Sequence, residues 1–194
     1  MELNLKRMYK IFLGILVLAS VLSCRGQKVQ LLENGIIIPV GKGETRLVRL
    51  QVMSENIIRV SASPSKEFSS RKSLMTVDKK WPEIPFQVQE NKDSVILSTT
   101  KIHAVVNRKT GEVAFVDITG KVRLVEKQGG GKHFEPIRVE NDRGYSFSQV
   151  FESPGDEAFY GLGQHQSDEF NYKGRNEVLY QYNTKVSVPF IVST

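Results

Sequence analysis

The chain has very little cysteine and histidine. Its 194 residues include one cysteine, Cys24, and three widely separated histidines. Because Cys24 falls in a predicted export signal, the rest of the chain has no thiol for a disulfide, a thiolate metal site or a cysteine nucleophile. No two histidines have the spacing of a zinc motif. The sequence therefore predicts no cofactor, and only a metal site of carboxylate and backbone oxygens stays open.

Clusters of positive charge are also scarce. The formal net charge is +6, from 27 basic and 21 acidic residues. The first 24 residues supply about +2 of it, from Lys6, Arg7 and Lys10 less Glu2. The other basic residues are scattered singly among acidic ones and do not alternate with aromatic rings. This distribution predicts that no nucleic acid is a partner, because such surfaces concentrate Lys and Arg on one face.

Long hydrophobic runs are limited to the N-terminus. The run from Ile11 to Leu22 is about a dozen residues long, whereas a membrane-spanning helix needs about 20. It follows basic residues and ends in "VLSC" (residues 21–24), which is typical of a lipobox. We therefore predict a lipoprotein signal peptide over residues 1–24, with lipidation of Cys24 and anchoring in the bacterial envelope, facing the periplasm or in the outer membrane. An ordinary signal peptide with an accidental cysteine is the alternative.

After the leader, the hydrophobic pattern has period two. In "RLVRLQV", Val48, Leu50 and Val52 alternate with polar residues, and "NIIRVSA" and "SVILSTTKIHAVVN" repeat the pattern between turn residues. No window of twelve residues shows a helical stripe. Short strands at such spacing predict an all-β fold, an antiparallel β-sandwich, as one domain over residues 25–194.

The stretch "FYGLGQHQ" near the C-terminus combines glycines, rings and amides. Gly161 and Gly163 permit backbone conformations closed to other residues and a close approach by another surface. Gln164 and His165 follow with hydrogen-bonding groups, and "LYQYN" then alternates rings with amides. Rings stack on the C–H faces of sugars, and amides bond their hydroxyls. The pattern favours a sugar-binding surface, and a polar loop beside an edge strand is the alternative.

This stretch also resembles a known family. "FYGLGQHQ", a loop and then "LYQYNTKVSVPFIVS" is similar to the N-terminal galactose-mutarotase-like β-sandwich of glycoside hydrolase family 31, which contains α-xylosidases and α-glucosidases. The matching features are Tyr-Gly-Leu-Gly at residues 160–163 and Pro-Phe at residues 189–190. The amide-rich residues 164–166 are similar to the α-xylosidase-like members. The resemblance is strong over residues 150–194, and it implies an oligosaccharide partner that is an α-xyloside or an α-glucoside.

The resemblance also implies substrate-binding residues. In relatives, a Trp-Asn-Arg-Asp segment of this domain reaches the active site, and its acid contacts the sugar. The matching residues are 180–183, so Asn183 is the implied substrate-lining residue, with Tyr180 and Gln181 beside it. Asparagine keeps the acceptor oxygen of aspartate and gains donors but loses the charge. His165 and Gln164 complete the predicted set.

No catalytic residue is predicted in this chain. Retaining glycosidases need two carboxyl groups about 5–5.5 Å apart. The resemblance implies that these are aspartates of a (β/α)₈ barrel, a fold of about 250 residues that has no counterpart here. The adjacent acids Asp168 and Glu169 are not expected to converge on one bond. We expect the chain to be inactive alone, with the barrel as its missing intramolecular partner, and the closing strand pattern "SVPFIVST" predicts a sandwich that is incomplete at its C-terminus.

Two alternatives to this fragment of a glycoside hydrolase remain. One is a stand-alone carbohydrate-binding lipoprotein of the bacterial envelope. The other is a structural envelope lipoprotein with no ligand.

Overall fold

The computed structural model describes residues 28–73, 79, 81–166 and 169–194. The predicted signal peptide and its lipidation site, Cys24, lie outside the described residues. In the described part, every regular element is a β-strand and every named strand pair is antiparallel, which confirms the predicted all-β class. No helix within it is long and apolar enough to cross a membrane.

Thirteen strands make up this part of the chain. They are β1 (Gln30–Leu32), β2 (Gly35–Pro39), β3 (Leu47–Ser54), β4 (Ile57–Ser63), β5 (Gln87–Glu90), β6 (Ser94–Ser98), β7 (Ile102–Asn107), β8 (Val113–Asp117), β9 (Val122–Val125), β10 (Lys132–Val139), β11 (Asp142–Gln149), β12 (Phe159–Gln164) and β13 (Val186–Ser193). They form a four-stranded sheet, β1-β2-β3-β4, a five-stranded sheet, β5-β6-β7-β8-β9, and two hairpins, β10-β11 and β12-β13.

The hydrophobic core lies in the two larger sheets. Val48, Leu50 and Val52 of β3 are buried as their alternation predicts, because successive side chains of a strand point to opposite faces. The rest of the core cluster has the same origin: Ile36, Ile38, Val40, Ile58, Val95, Leu97, Ala104, Val106 and Val113. Burial of about 25 cal/mol per Å² of apolar surface makes this cluster the main stabilising contribution to the fold.

Contacts divide the described chain into two compact units. The first ends at Phe151, and the second comprises Glu152–Thr194. The first unit holds the two larger sheets and the β10-β11 hairpin, and the second holds the β12-β13 hairpin. A single domain over residues 25–194 stays a prediction.

A buried ion pair fixes the start of β10. Lys132 Nζ lies 2.5 Å from Glu126 Oε2, and each side chain is 4% exposed. Nζ also donates to the carbonyl of Gly111 at 3.0 Å, and the Val113 amide donates to Glu126 Oε2 at 3.2 Å. Burial raises the pKa of Glu126 and lowers that of Lys132, while their mutual contact opposes both shifts. The pair therefore joins β10 to the turn before β8, and each buried charge is compensated by the other.

Replacement of one partner alone should destabilise the first unit strongly. Lys132→Met leaves the Glu126 carboxylate buried without a cation, which costs about 3–5 kcal/mol of unfolding free energy. The double variant Glu126→Leu/Lys132→Met should recover most of that loss, because a hydrophobic pair avoids desolvating two charges. Urea denaturation of the three proteins measures both effects, and a Lys132→Met protein as stable as the wild type would contradict this account.

Candidate functional site

The β12-β13 hairpin contains a large irregularity at the "YGLG" stretch. Gly161 pairs with Ile191, but Gly163 pairs with Ser187. Three residues of β13, 188–190, therefore stand opposite the single Leu162. Proline lacks a backbone donor, so Pro189 is compatible with this interruption of the hydrogen-bond ladder. Such an irregularity bends the strand and changes the direction of the residues on both sides of it.

Three consecutive residues here have left-handed backbone torsions. The φ angles are +113° at Gly161, +65° at Leu162 and +100° at Gly163. A Cβ at Gly161 would lie 2.6 Å from the Phe190 carbonyl oxygen, and one at Gly163 would lie 1.9 Å from the Val186 carbonyl oxygen. The prediction of unusual torsions and close approach at both glycines is thereby confirmed. The approaching surface is the partner strand β13.

His165 is enclosed by the polypeptide that follows this bulge. Its side chain is 1% exposed, and its ring stands edge-on to Tyr172 at 6.4 Å between centroids. Nε2 donates to the carbonyl oxygen of Leu162 at 2.7 Å, which assigns the proton to that nitrogen. Nδ1 lies 3.1 Å from Glu177 Oε1, off the direction of a hydrogen bond, and is a buried atom without a hydrogen-bond partner among the described residues. His165 thus braces the left-handed turn, and its predicted contact with substrate stays a prediction.

Glu177 links the two sides of the candidate site. Its Oε1 atom lies close to His165 and also 3.3 Å from Lys185 Nζ, at the start of β13. The carboxylate therefore lies between two groups that flank the predicted substrate-lining residues 180–183. Sequence reasoning missed Glu177, because its partners are twelve and eight positions away and no motif marks the contact.

The predicted substrate-lining residues lie on an exposed segment that turns at Asn183. Tyr182 and Lys185 form an isolated bridge, with the Lys185 amide 2.6 Å from the Tyr182 carbonyl oxygen. Asn183 has a φ of +32°, and its side chain is exposed. Asparagine tolerates such torsions better than most residues. The alternation in "LYQYN" does not form a regular strand, because the chain reverses after Tyr182.

Two tyrosine rings stand parallel on this segment. The centroids of Tyr180 and Tyr182 are 5.8 Å apart, with 15° between their planes. The two residues are 57% and 60% exposed. Their stacking places both rings on the same side of the segment. Each ring stacks on the other through one face, so the outer faces are available to a sugar.

The two predicted glutamines are also exposed. Gln164 ends β12 opposite Val186, and Gln181 separates the two tyrosines. Gln181 and Asn183 supply amide donors and acceptors on the same segment as the ring pair, and Gln164 supplies another at the end of β12. The arrangement can bind hydroxyl groups and the C–H face of a sugar. It provides polar recognition without a carboxylate pair for bond cleavage.

Acidic residues near this segment have other contacts. Glu169 lies 3.0 Å from Arg175, and Asp168 lies outside the described residues. Within the described ranges, no group of three or more His, Cys, Asp or Glu residues has the geometry to hold a metal ion.

Comparison with known proteins identifies relatives in glycoside hydrolase family 31. The model of the "Glycosyl hydrolase 31 N-terminal galactose mutarotase-like domain" matches residues 47–193. An uncharacterized family 31 glucosidase of Pseudescherichia vulneris is 27% identical, over 78% of this chain and 32% of the relative. An alpha-xylosidase of Saccharolobus solfataricus is 28% identical, over 76% of this chain and 21% of the relative. The chain therefore spans about a third or less of the length of these relatives.

Solved structures of glycoside hydrolase family 31 also match this chain. A GH31 alpha-xylosidase from Xanthomonas citri matches with a TM-score of 0.78 and 44% identity, over 85% of this chain and 18% of that one. A GH31 alpha-xylosidase from a soil metagenome, complexed with xylose, matches with a TM-score of 0.69 and 26% identity, over 86% of this chain and 26% of that one.

An alanine at Gly163 should disrupt the hairpin that supports the candidate site. The positive φ costs about 1–3 kcal/mol for a residue with a Cβ, and the contact with the Val186 carbonyl oxygen forces the strands apart. Gly155→Ala is the matched control, because nothing lies within 4 Å of its Cβ position. Hydrogen exchange of the β12 and β13 amides should accelerate in Gly163→Ala and not in Gly155→Ala. Equal exchange in the two variants would contradict the strain argument.

Proposed function

The chain belongs to the N-terminal galactose mutarotase-like domain family of glycoside hydrolase 31, and we propose that it supplies the sugar-binding, non-catalytic part of an enzyme that hydrolyses α-xylosides or α-glucosides. Catalysis is then the task of a barrel with two carboxyl groups, in a part of the enzyme that this chain does not include. Two features support this separation of binding from catalysis. The chain covers about a third or less of the length of its relatives, and its candidate site contains aromatic rings and amides.

We assign the substrate-binding surface to Tyr180, Gln181, Asn183 and Gln164. The observation that carries the assignment is the exposed position of Asn183 beside the parallel rings of Tyr180 and Tyr182. A side chain at this position packed among apolar groups would have no access to a ligand. The bound xylose of the soil-metagenome relative supports a pentose or hexose as the ligand class.

The exposed apolar side chains of β13 support an intramolecular partner. Phe190, Ile191 and Val192 all lie largely open to solvent, and so does Val186 nearer the start of the strand. Apolar side chains left this open on both faces of a strand are unfavourable in water and support an interaction site. We propose that the remainder of the enzyme, including its barrel, covers this surface.

We also propose that the protein is exported and anchored to the bacterial envelope through a lipid on Cys24. The support is the order of a basic segment, a short apolar run and "VLSC" in the first 24 residues. In cells given radiolabelled palmitate, the wild type should carry label, and Cys24→Ser should carry none while staying in the precursor form. Label retained by Cys24→Ser would contradict this proposal.

Titration of the 194-residue chain with an α-xylosyl oligosaccharide tests the binding role. Tyr180→Ala removes the stacking ring, and Asn183→Gly removes the amide while keeping a residue suited to the positive φ. Each change should weaken binding about fivefold or more, since a lost hydrogen bond or stacking contact costs about 1 kcal/mol or more. Tyr180→Phe is the control, because it keeps the ring and should bind within about threefold of the wild type.

Two results would contradict the proposed function. One is unchanged affinity in both Tyr180→Ala and Asn183→Gly. The other is efficient release of xylose from an α-xyloside by the purified chain, because the proposal assigns both catalytic carboxyl groups to another part of the enzyme.

A further inference from the structure

A groove in the first unit combines aromatic rings with serine hydroxyls. It lies between the loop that follows β4 and the β10-β11 hairpin, and its volume is about 640 Å³. Binding pockets for small ligands fall between about 300 and 1,000 Å³. We propose that this groove is a second sugar-binding site, specific for a neutral oligosaccharide and separate from the residues 180–183.

One wall of the groove is a cluster of three aromatic rings. Phe134 pairs across the hairpin with Phe147, and Tyr145 precedes Phe147 by two positions, so all three share a face. The Phe134 centroid lies 5.1 Å from that of Phe147 and 6.1 Å from that of Tyr145. Tyr145 and Phe147 are 51% and 52% exposed. The cluster therefore packs internally and still presents ring surface to a ligand.

The Tyr145 hydroxyl adds a polar group to the same wall. The residue is 51% exposed. A ring with a hydroxyl at its edge can stack on a sugar and bond one of its hydroxyls at the same time.

The opposite wall is mixed, with more polar than apolar residues. It is lined by Ala62, Ser63, Pro64, Ser65, Glu67, Phe68, Ser69, Ser70 and Arg71. The hydroxyls of Ser63 and Ser65 both donate to the Glu67 carbonyl oxygen, at 2.6 and 2.8 Å. These bonds fix the loop. Ser63 is buried and also accepts from the Ser65 amide at 3.2 Å, whereas the exposed Ser65 hydroxyl keeps a lone pair as an acceptor. An apolar protein segment would leave that acceptor unpaired, whereas a sugar hydroxyl can donate to it.

The charges at the groove balance. Its lining includes one acid, Glu67, and one base, Arg71. Arg71 also reaches Asp142 on the hairpin, at 3.4 Å. No excess of one sign is available to attract an ionic ligand, so a neutral ligand fits the lining best.

Two contacts hold the hairpin in place before any ligand binds. The Phe134 amide donates to Glu44 Oε2 at 2.8 Å. This hydrogen bond lowers the pKa of Glu44, and the nearby His133 ring lowers it further. The buried pair of Lys132 and Glu126 anchors the first residue of the same strand. A site fixed in advance loses less conformational freedom on binding.

The test is calorimetric titration of the full chain with a neutral xyloglucan heptasaccharide. In a Tyr180→Ala background, the wild-type groove should still give measurable heat. Tyr145→Ala and Phe147→Ala should each weaken that remaining binding about tenfold or more. Tyr145→Phe should show a smaller loss, because only the hydroxyl is removed. Ile137→Ala is the matched control: it lies on the opposite face of the same hairpin with similar exposure, and it should bind unchanged.

The two sugar-binding proposals fail separately in this design. If Tyr180→Ala abolishes all binding and the groove variants in the wild-type background bind like the wild type, the second site is overturned and the first stands. If the groove variants alone lose binding, the first site is overturned. Self-association that Phe147→Ala abolishes, without any heat from the sugar, would assign the rings to a protein interface and overturn the second site.

Discussion

The left-handed turn at Gly161, Leu162 and Gly163 is the constraint on which the candidate site depends. It forces one residue of β12 to stand opposite three of β13, and it turns the Leu162 carbonyl to the His165 ring. A non-glycine residue with a positive φ persists only where the surroundings hold it. Here His165 holds the turn, and the Glu177 carboxylate lies against His165 and Lys185. The segment that presents Tyr180 and Asn183 begins and ends at these contacts, so backbone strain in one strand determines where a binding surface lies.

In the first unit, a buried ion pair holds a hairpin in position. Its β10-β11 hairpin is outside both large sheets and contributes little to the hydrophobic core. The ion pair of Lys132 and Glu126 attaches the hairpin to the rest of the unit. Because these bonds are directional, they favour one position of the hairpin. Apolar burial alone would be less selective, since it is non-directional. The hairpin can thus keep its aromatic residues at the surface and still occupy a defined place.

Patterns of neighbouring residues predicted the fold well and, at the candidate site, the unusual torsions of two glycines. Alternation placed Val48 and Leu50 in the core, and local steric reasoning identified the torsions at Gly161 and Gly163. Both are properties of a few adjacent residues. The contact of His165 is instead with Glu177, twelve residues later. Lys132 follows three glycines, and nothing beside it in the sequence marks its buried contact with Glu126. Contacts between distant polar residues leave no periodic signal, and they are the part that the sequence could not predict.

The absence of charge at position 183 has a consequence for catalysis in the proposed enzyme. A carboxylate close to catalytic carboxyl groups disfavours their ionised forms and raises their pKa values. The Asn183 amide can bind a hydroxyl through either its oxygen or its nitrogen without contributing such a field. Tyr180 and Gln181 are uncharged as well, so these three residues would act through shape and hydrogen bonds. In the proposed enzyme they would bind the sugar and leave the protonation states of the catalytic pair to the residues around that pair.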